Sequence, residues 1–156
     1  MKDKITEIAN KHNLQIIEDA CEALGSEYKD KKIGCFGKVS VFGFYPNKHI
    51  TTGEGGMMLT DDEQIADLCK SMRNQGRREG TPMLIHDRLG YNYRLDELSS
   101  ALGAAQLERF KQILNRRKRV FEMYQERLAD CQAIILPKGP ENTKVSWFVY
   151  VIKLDK

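Results

Sequence analysis

The first 76 residues switch repeatedly between two hydrophobic periods, and a chain that does so has to stack helices against a sheet. Ile5, Ile8, Ala9 and His12 fall at i, i+3, i+4 and i+7, one face of a helix. Asn13 then supplies a residue tolerant of the left-handed conformation that ends one. The apolar run at residues 14–17 closes on Glu18-Asp19 and has the length of a buried strand with a carboxylate at its end. Residues 39–45 are β-branched and aromatic and are stopped by Pro46, which cannot donate to a ladder. Gly53, Gly55 and Gly56 break the chain before a third strand at residues 57–60. Asp61 is an N-cap candidate with Gln64 three residues on, and Ile65, Leu68, Cys69 and Met72 share a helical face that Gly76 stops. Such alternation predicts an α/β fold with a mostly parallel, covered sheet.

The second half changes character twice. Residues 77–93 contain Gly80, Pro82 and Gly90 and hold no period, which predicts a long loop of the kind often tied to function. Leu95, Leu98, Leu102 and Ala105 then start a helical stripe that Phe110, Ile113, Leu114, Phe121, Tyr124 and Leu128 continue, implying one long helix, bent or broken. A helix of that length suits a connector between domains or a subunit contact. Residues 134–136 and 145–154 are strand-prone around a turn-rich 137–143. The expected division is 1–93 as part of a large domain, 94–130 as the connecting helix and 131–156 as the start of a smaller α+β domain. Met57, Met58 and Trp147 read as core residues.

Composition narrows the function classes. With 156 residues, 41% hydrophobic, 30% charged and 4 prolines, the chain has the makings of one packed core rather than a disordered polymer. No apolar run approaches the roughly 18 residues of a membrane span. The N-terminus is charged and lacks a signal-like apolar stretch, so a cytoplasmic location is expected. A net charge of +3 does not call for a polyanionic partner. The run Arg116-Arg117-Lys118-Arg119 has Glu108, Glu122 and Glu126 at pairing distance along a helix, so it reads as a solvated face and not as a nucleic-acid surface. Cys21, Cys35, Cys69 and Cys131 form no C-x-x-C pair and have no histidine at ligand spacing, so packed or idle thiols are expected and no metal site.

The segment Phe44-Tyr45-Pro46-Asn47-Lys48-His49-Ile50-Thr51-Thr52-Gly53-Glu54-Gly55-Gly56 sets one lysine between a strand end and a glycine-rich turn. A lysine acts as a nucleophile when its surroundings favour the neutral amine, and its commonest covalent use is a Schiff base with a carbonyl compound or pyridoxal phosphate. By itself Lys48 is as readily a surface charge, and the glycines match neither G-x-x-x-x-G-K nor G-x-G-x-x-G. Asp19 supplies the second half, because pyridoxal chemistry needs an acid that keeps the ring nitrogen protonated. In open α/β sheets ligands lie outside the carboxyl ends of strands, the edge on which both Asp19 and Lys48 would fall. On propensity alone, Asp19 could equally cap a turn.

Four motifs in order carry a more specific signal: Ile17-Glu18-Asp19-Ala20-Cys21-Glu22-Ala23-Leu24-Gly25, the lysine segment, Arg73-Asn74-Gln75-Gly76-Arg77, and Leu89-Gly90-Tyr91-Asn92-Tyr93-Arg94-Leu95. Together they closely resemble the pyridoxal-phosphate-dependent sugar-nucleotide aminotransferases of the DegT/DnrJ/StrS family, from about residue 5 to residue 154. The resemblance implies part of an aspartate-aminotransferase-like (fold type I) large domain, and a chain that is an internal fragment of a longer protein. It makes Lys48 the Schiff-base lysine that also moves a proton between substrate and cofactor, and Asp19 the partner of the pyridinium nitrogen. Glu22 falls where the family places a polar residue, often glutamine, near the ring. Asn92 matches a residue that reaches the cofactor phosphate of a neighbouring subunit, which implies a homodimer with shared active sites. Gly43 stands where many members carry a serine that donates to that phosphate. Related dehydratases replace the lysine with histidine, so Lys48 favours transamination, and His49 is read as a neighbour. The implied reaction moves an amino group, usually from glutamate, onto a nucleotide-linked keto sugar for polysaccharide or glycoside biosynthesis. The alternative is a truncated, non-catalytic dimerisation or regulatory remnant.

Overall fold

The computed structural model describes residues 2–78, 80, 82 and 85–155. Helix α1 (Lys2–Lys11) leads through Asn13, in the left-handed conformation at φ 51°, into strand β1 (Ile17–Asp19). A hairpin follows, β2 (Glu27–Tyr28) and β3 (Lys31–Lys32), with Lys29 and Asp30 both at positive φ as a two-residue hairpin turn requires. Strands β4 (Val39–Gly43) and β5 (Gly56–Leu59) complete the main sheet, ordered β1-β4-β5.

β1 and β4 are parallel, with Asp19 opposite Val41, whereas β4 and β5 are antiparallel, with Gly43 opposite Gly56. The expectation of a mostly parallel sheet is thus met by one pairing of two. The connection at residues 44–55 contains no crossover helix and folds straight back, Phe44 N–H donating to Gly55 O at 2.9 Å, so β5 has to run antiparallel. A second correction concerns burial. Ile17 is 72% exposed, and Met57 and Met58 on the edge strand are 49% and 46% exposed, so the sheet is covered only in part, around Glu18, Ser40 and Phe42, and neither methionine is core.

The buried cluster starts from the central strand and runs past its end: Ala20, Phe42, Phe44 and Ile50, with Leu24, Ile33, Phe110 and Ile113 packed against it. Helix α2 (Glu63–Arg73) is capped by Asp62, one residue later than expected, whose side chain accepts from the amides of Gln64 and Ile65. The long helix is two helices, α3 (Glu97–Glu108) and α4 (Phe110–Arg127), parted at Arg109. No proline or glycine marks that break. The turn at Arg109 lets Phe110 and Ile113 reach the core cluster, so tertiary packing decides it. The apolar stripe of α3 faces outward, Leu98 being 85% and Leu102 47% exposed, while Gly103 and Gln106 take the buried side.

The tail forms β6 (Ile134–Ile135), β7 (Thr143–Lys144) and β8 (Lys153–Leu154). β6 and β8 pair with each other, and β7 joins the β2-β3 hairpin. Contacts therefore cross the boundary drawn at residue 131: the hydroxyls of Ser26 and Ser146 are 2.8 Å apart, and Lys144 pairs with Glu27 and Asp30. Trp147 is half-buried, stacked on Phe121 with ring centroids 3.4 Å apart. No helix among the described residues is long and apolar enough to cross a membrane.

Candidate active site

β1 and β4 run side by side, and the chain leaving each supplies the site. Ala20 N–H donates to Val41 O at 2.9 Å, extending the parallel ladder one residue past Asp19. Cys21 then turns beneath Gly43: a Cβ at Gly43 would meet Cys21 Sγ at 3.5 Å. Asp19 Oδ1 accepts from the Cys21 amide at 3.1 Å. Contacts with Cys21, its thiol and then its amide, hold the Asp19 carboxyl below the usual carboxylate range, and the charge of Lys48 pulls in the same direction. Asp19 is thus an ionised, exposed carboxylate at a strand end. The Cys21 thiol is pushed up, by burial first and by Asp19 second, which keeps it protonated and unreactive.

Lys48 sits on the turn after β4, where its N–H donates to Tyr45 O at 3.0 Å. Its side chain is only 15% exposed. Nζ lies 2.9 Å from Glu22 Oε1 and 4.4 Å from the centre of the Phe148 ring. Glu22, an acceptor when ionised, is thus the direct partner of the amine. The sequence-predicted residues Asp19, Glu22 and Lys48 converge on one edge, linked by an ion pair and by charge. Asn92 does not join them within this chain. It forms a bridge to Asn74 at the end of α2 and hydrogen-bonds to none of the three.

Residues that hold the loop were not singled out by sequence reasoning. Arg117 of α4 donates to the Lys48 carbonyl at 3.0 Å and to the Phe148 carbonyl at 3.1 Å, tying the lysine turn to the tail. It had been grouped with the solvated basic run, which the Lys118–Glu122 pair fits and Arg117 does not. Gln106 of α3 accepts from Thr51 N–H at 3.2 Å and donates to Thr51 O at 2.5 Å, closing both backbone groups of one residue. A legible signal existed here: Gln106 stands four residues after Leu102, a polar side chain in an otherwise apolar run of α3. His49, the neighbour of Lys48, is 3% exposed and rests 5.7 Å from the Phe148 ring. Burial first, and then the Arg117 charge, bring its pKa to about 4, so it is a neutral core imidazole. Among the described residues no cluster could hold a metal ion.

The ionised Asp19 thus ends one strand and Lys48 follows its neighbour on a mixed α/β scaffold, and solved structures of an aminotransferase and of a PLP-bound dehydratase match that fold. The Helicobacter pylori aminotransferase PseC, involved in the biosynthesis of pseudoaminic acid, superposes with a TM-score of 0.92 at 30% identity, over 99% of this chain and 42% of that one. An Escherichia coli GDP-4-keto-6-deoxy-D-mannose-3-dehydratase with bound hydrated PLP superposes at 0.88 with 26% identity, over 99% of this chain and 43% of that one. The family model of the DegT/DnrJ/EryC1/StrS aminotransferases matches residues 2–156, and the chain belongs to that family. The GDP-perosamine synthase of Vibrio cholerae is 42% identical over 152 residues, 97% of this chain and 41% of its own length. The chain spans 34% to 43% of the length of such curated relatives.

Proposed function

We propose that this chain supplies the lysine-bearing part of a pyridoxal-phosphate-dependent transaminase of nucleotide-linked keto sugars, acting in polysaccharide or glycoside biosynthesis in the cytoplasm. The observation that carries the reading is the shielded amine of Lys48, 2.9 Å from Glu22, on the same sheet edge as an Asp19 held ionised. These residues fit the cofactor. Asp19 would face the pyridinium nitrogen, Lys48 would hold the aldehyde carbon, and Gly43, where only the Cys21 side chain approaches, would leave room for the phosphate. When bound, the cofactor supplies an electron sink that labilises a proton on the substrate carbon next to the amine.

The chain's own residues do the rest. Glu22, hydrogen-bonded to Nζ, takes up or returns the proton that separates the ammonium from the nucleophilic amine. Freed from the cofactor, Lys48 is placed to carry a proton between two carbons on one face, because Arg117 and Gln106 fix the backbone on which it turns. The half-buried Phe148 ring walls one side of Nζ against water. Asn92, far along the chain on its own bridge, serves the phosphate of a partner subunit's cofactor, which makes the working form a homodimer, with glutamate as amino donor.

Borohydride reduction after incubation with pyridoxal phosphate tests this directly. A single modified peptide carrying Lys48 is expected, together with a yellow protein whose visible absorbance disappears in Lys48→Ala. A second reading draws on Gly43 in the serine position: a non-catalytic dimerisation or regulatory protein that keeps the fold but not the cofactor. A colourless protein with no reducible adduct would favour it.

A further inference from the structure

We propose that a cationic cleft between α2 and the segment returning along it at residues 85–94 binds a diphosphate-type anion. Two glycines build it. A Cβ at Gly76 (φ +78°) would lie 1.8 Å from Arg88 O, and one at Gly90 would lie 2.2 Å from Gly76 N, so the two segments cross with no side chain between them. Backbone bonds then zip them together: Tyr91 N–H to Met72 O at 2.7 Å, Gln75 N–H to Tyr91 O at 2.8 Å and Tyr93 N–H to Arg73 O at 2.8 Å. The crossing delivers Arg73 and Arg77 from one segment, and Arg88 and Arg94 from the other, to one cleft of about 700 Å³. Lys70 and Arg78 stand at its edge, Arg78 paired with Asp87 at 2.8 Å.

Among the described residues the only carboxylate lining the cleft is Asp67, and Lys70 already reaches it at 3.4 Å. Arg73, Arg77, Arg88 and Arg94 have no ion-pair partner among the described residues. Four guanidinium groups gathered around one cavity repel each other, and a multiply charged anion removes that cost while matching their planar forks two bonds at a time. A second observation points the same way. Ser71 is 3% exposed, lines the cleft, and its hydroxyl has no hydrogen-bond partner. The buried Nε of Arg77 is likewise unpartnered, and both are donors that an anion would satisfy. Asn74 Oδ1, also unpartnered, needs a donor, which a singly protonated diphosphate carries. None of these side chains contacts Lys48, Asp19 or Glu22, so the site stands whether or not the amine chemistry does.

The diphosphate could be inorganic or part of a nucleotide, and titration calorimetry with inorganic pyrophosphate and with uridine 5′-diphosphate separates the two. Pyrophosphate is expected to bind, more weakly at high salt, and to lose more than about tenfold in affinity in Arg77→Gln/Arg88→Gln. Arg77→Lys should retain part of the binding, and Lys48→Ala all of it. Tighter binding of the nucleotide identifies a nucleotide ligand, and equal binding an inorganic one. The proposal fails if millimolar pyrophosphate does not bind. It also fails if the double variant, unfolding at the wild-type temperature, binds as before, or if Arg116→Gln/Arg119→Gln on the opposite helix loses as much.

Discussion

The loop that carries Lys48 and the strand that follows it are neighbours in sequence but are held in opposite ways. His49, Ile50 and Thr52 are 3%, 2% and 5% exposed, and helices α3 and α4 each reach down to clamp the loop's backbone. Met57, Met58 and Leu59, a few residues on, leave 49%, 46% and 44% of their surface in solvent. In a typical α/β domain the strands are the best-buried segments and the loops at their ends the least. Between this loop and β5 the order is inverted. Burial in this part of the chain is concentrated in the loop that carries Lys48, and the sheet edge beside it is apolar surface without a cover among the described residues.

The sharpest way to break that contrast is to excavate both regions. Ile50→Ala, in the loop, should destabilise by about 2–5 kcal/mol in urea unfolding, as for other large-to-small changes in closed packing. The loop should also carry a pH signature. The His49 pKa of about 4 lies below its unfolded value of about 6.5, so its contribution is complete above pH 6.5 and is lost as the pH falls toward 4. The loss should amount to about 3 kcal/mol, and the slope in that window should vanish in His49→Leu. Gln106→Leu leaves both backbone groups of Thr51 without their partner and should cost about 1–3 kcal/mol in the same assay. Met58→Ala, on the open edge, should change stability by no more than about 0.5 kcal/mol. A cost at Met58 equal to that at Ile50 would mean that the edge is covered in solution, and the contrast would be gone.

What was legible in the sequence divides along a similar line. The end of the strand at Asp19, the strand before Lys48 and the cap at the start of α2 are local: period, a stop at Pro46 and an aspartate spaced to accept two amides suffice to place these within a residue or two, although β1 starts three residues later than its apolar run. The meeting of Asp19, Glu22 and Lys48 was legible because two strand ends on one sheet edge leave little freedom. The inward face of α3 was not, because its apolar stripe is the uncovered side and its buried contacts come from a glycine and a glutamine. The roles of Arg117 and Phe148 were hidden for another reason. They depend on carbonyls 69 and 31 residues away from Arg117, and no local pattern encodes a hydrogen bond across that separation.

Position 43 has one more implication. A methylene there would touch only Cys21, its nearest atoms 3.5 and 3.6 Å away at ordinary van der Waals distance, with no backbone in the way. A hydroxymethyl group could be grafted on without moving either strand, so a new hydrogen-bonding side chain can be added at the end of β4 while the fold stays indifferent to the change.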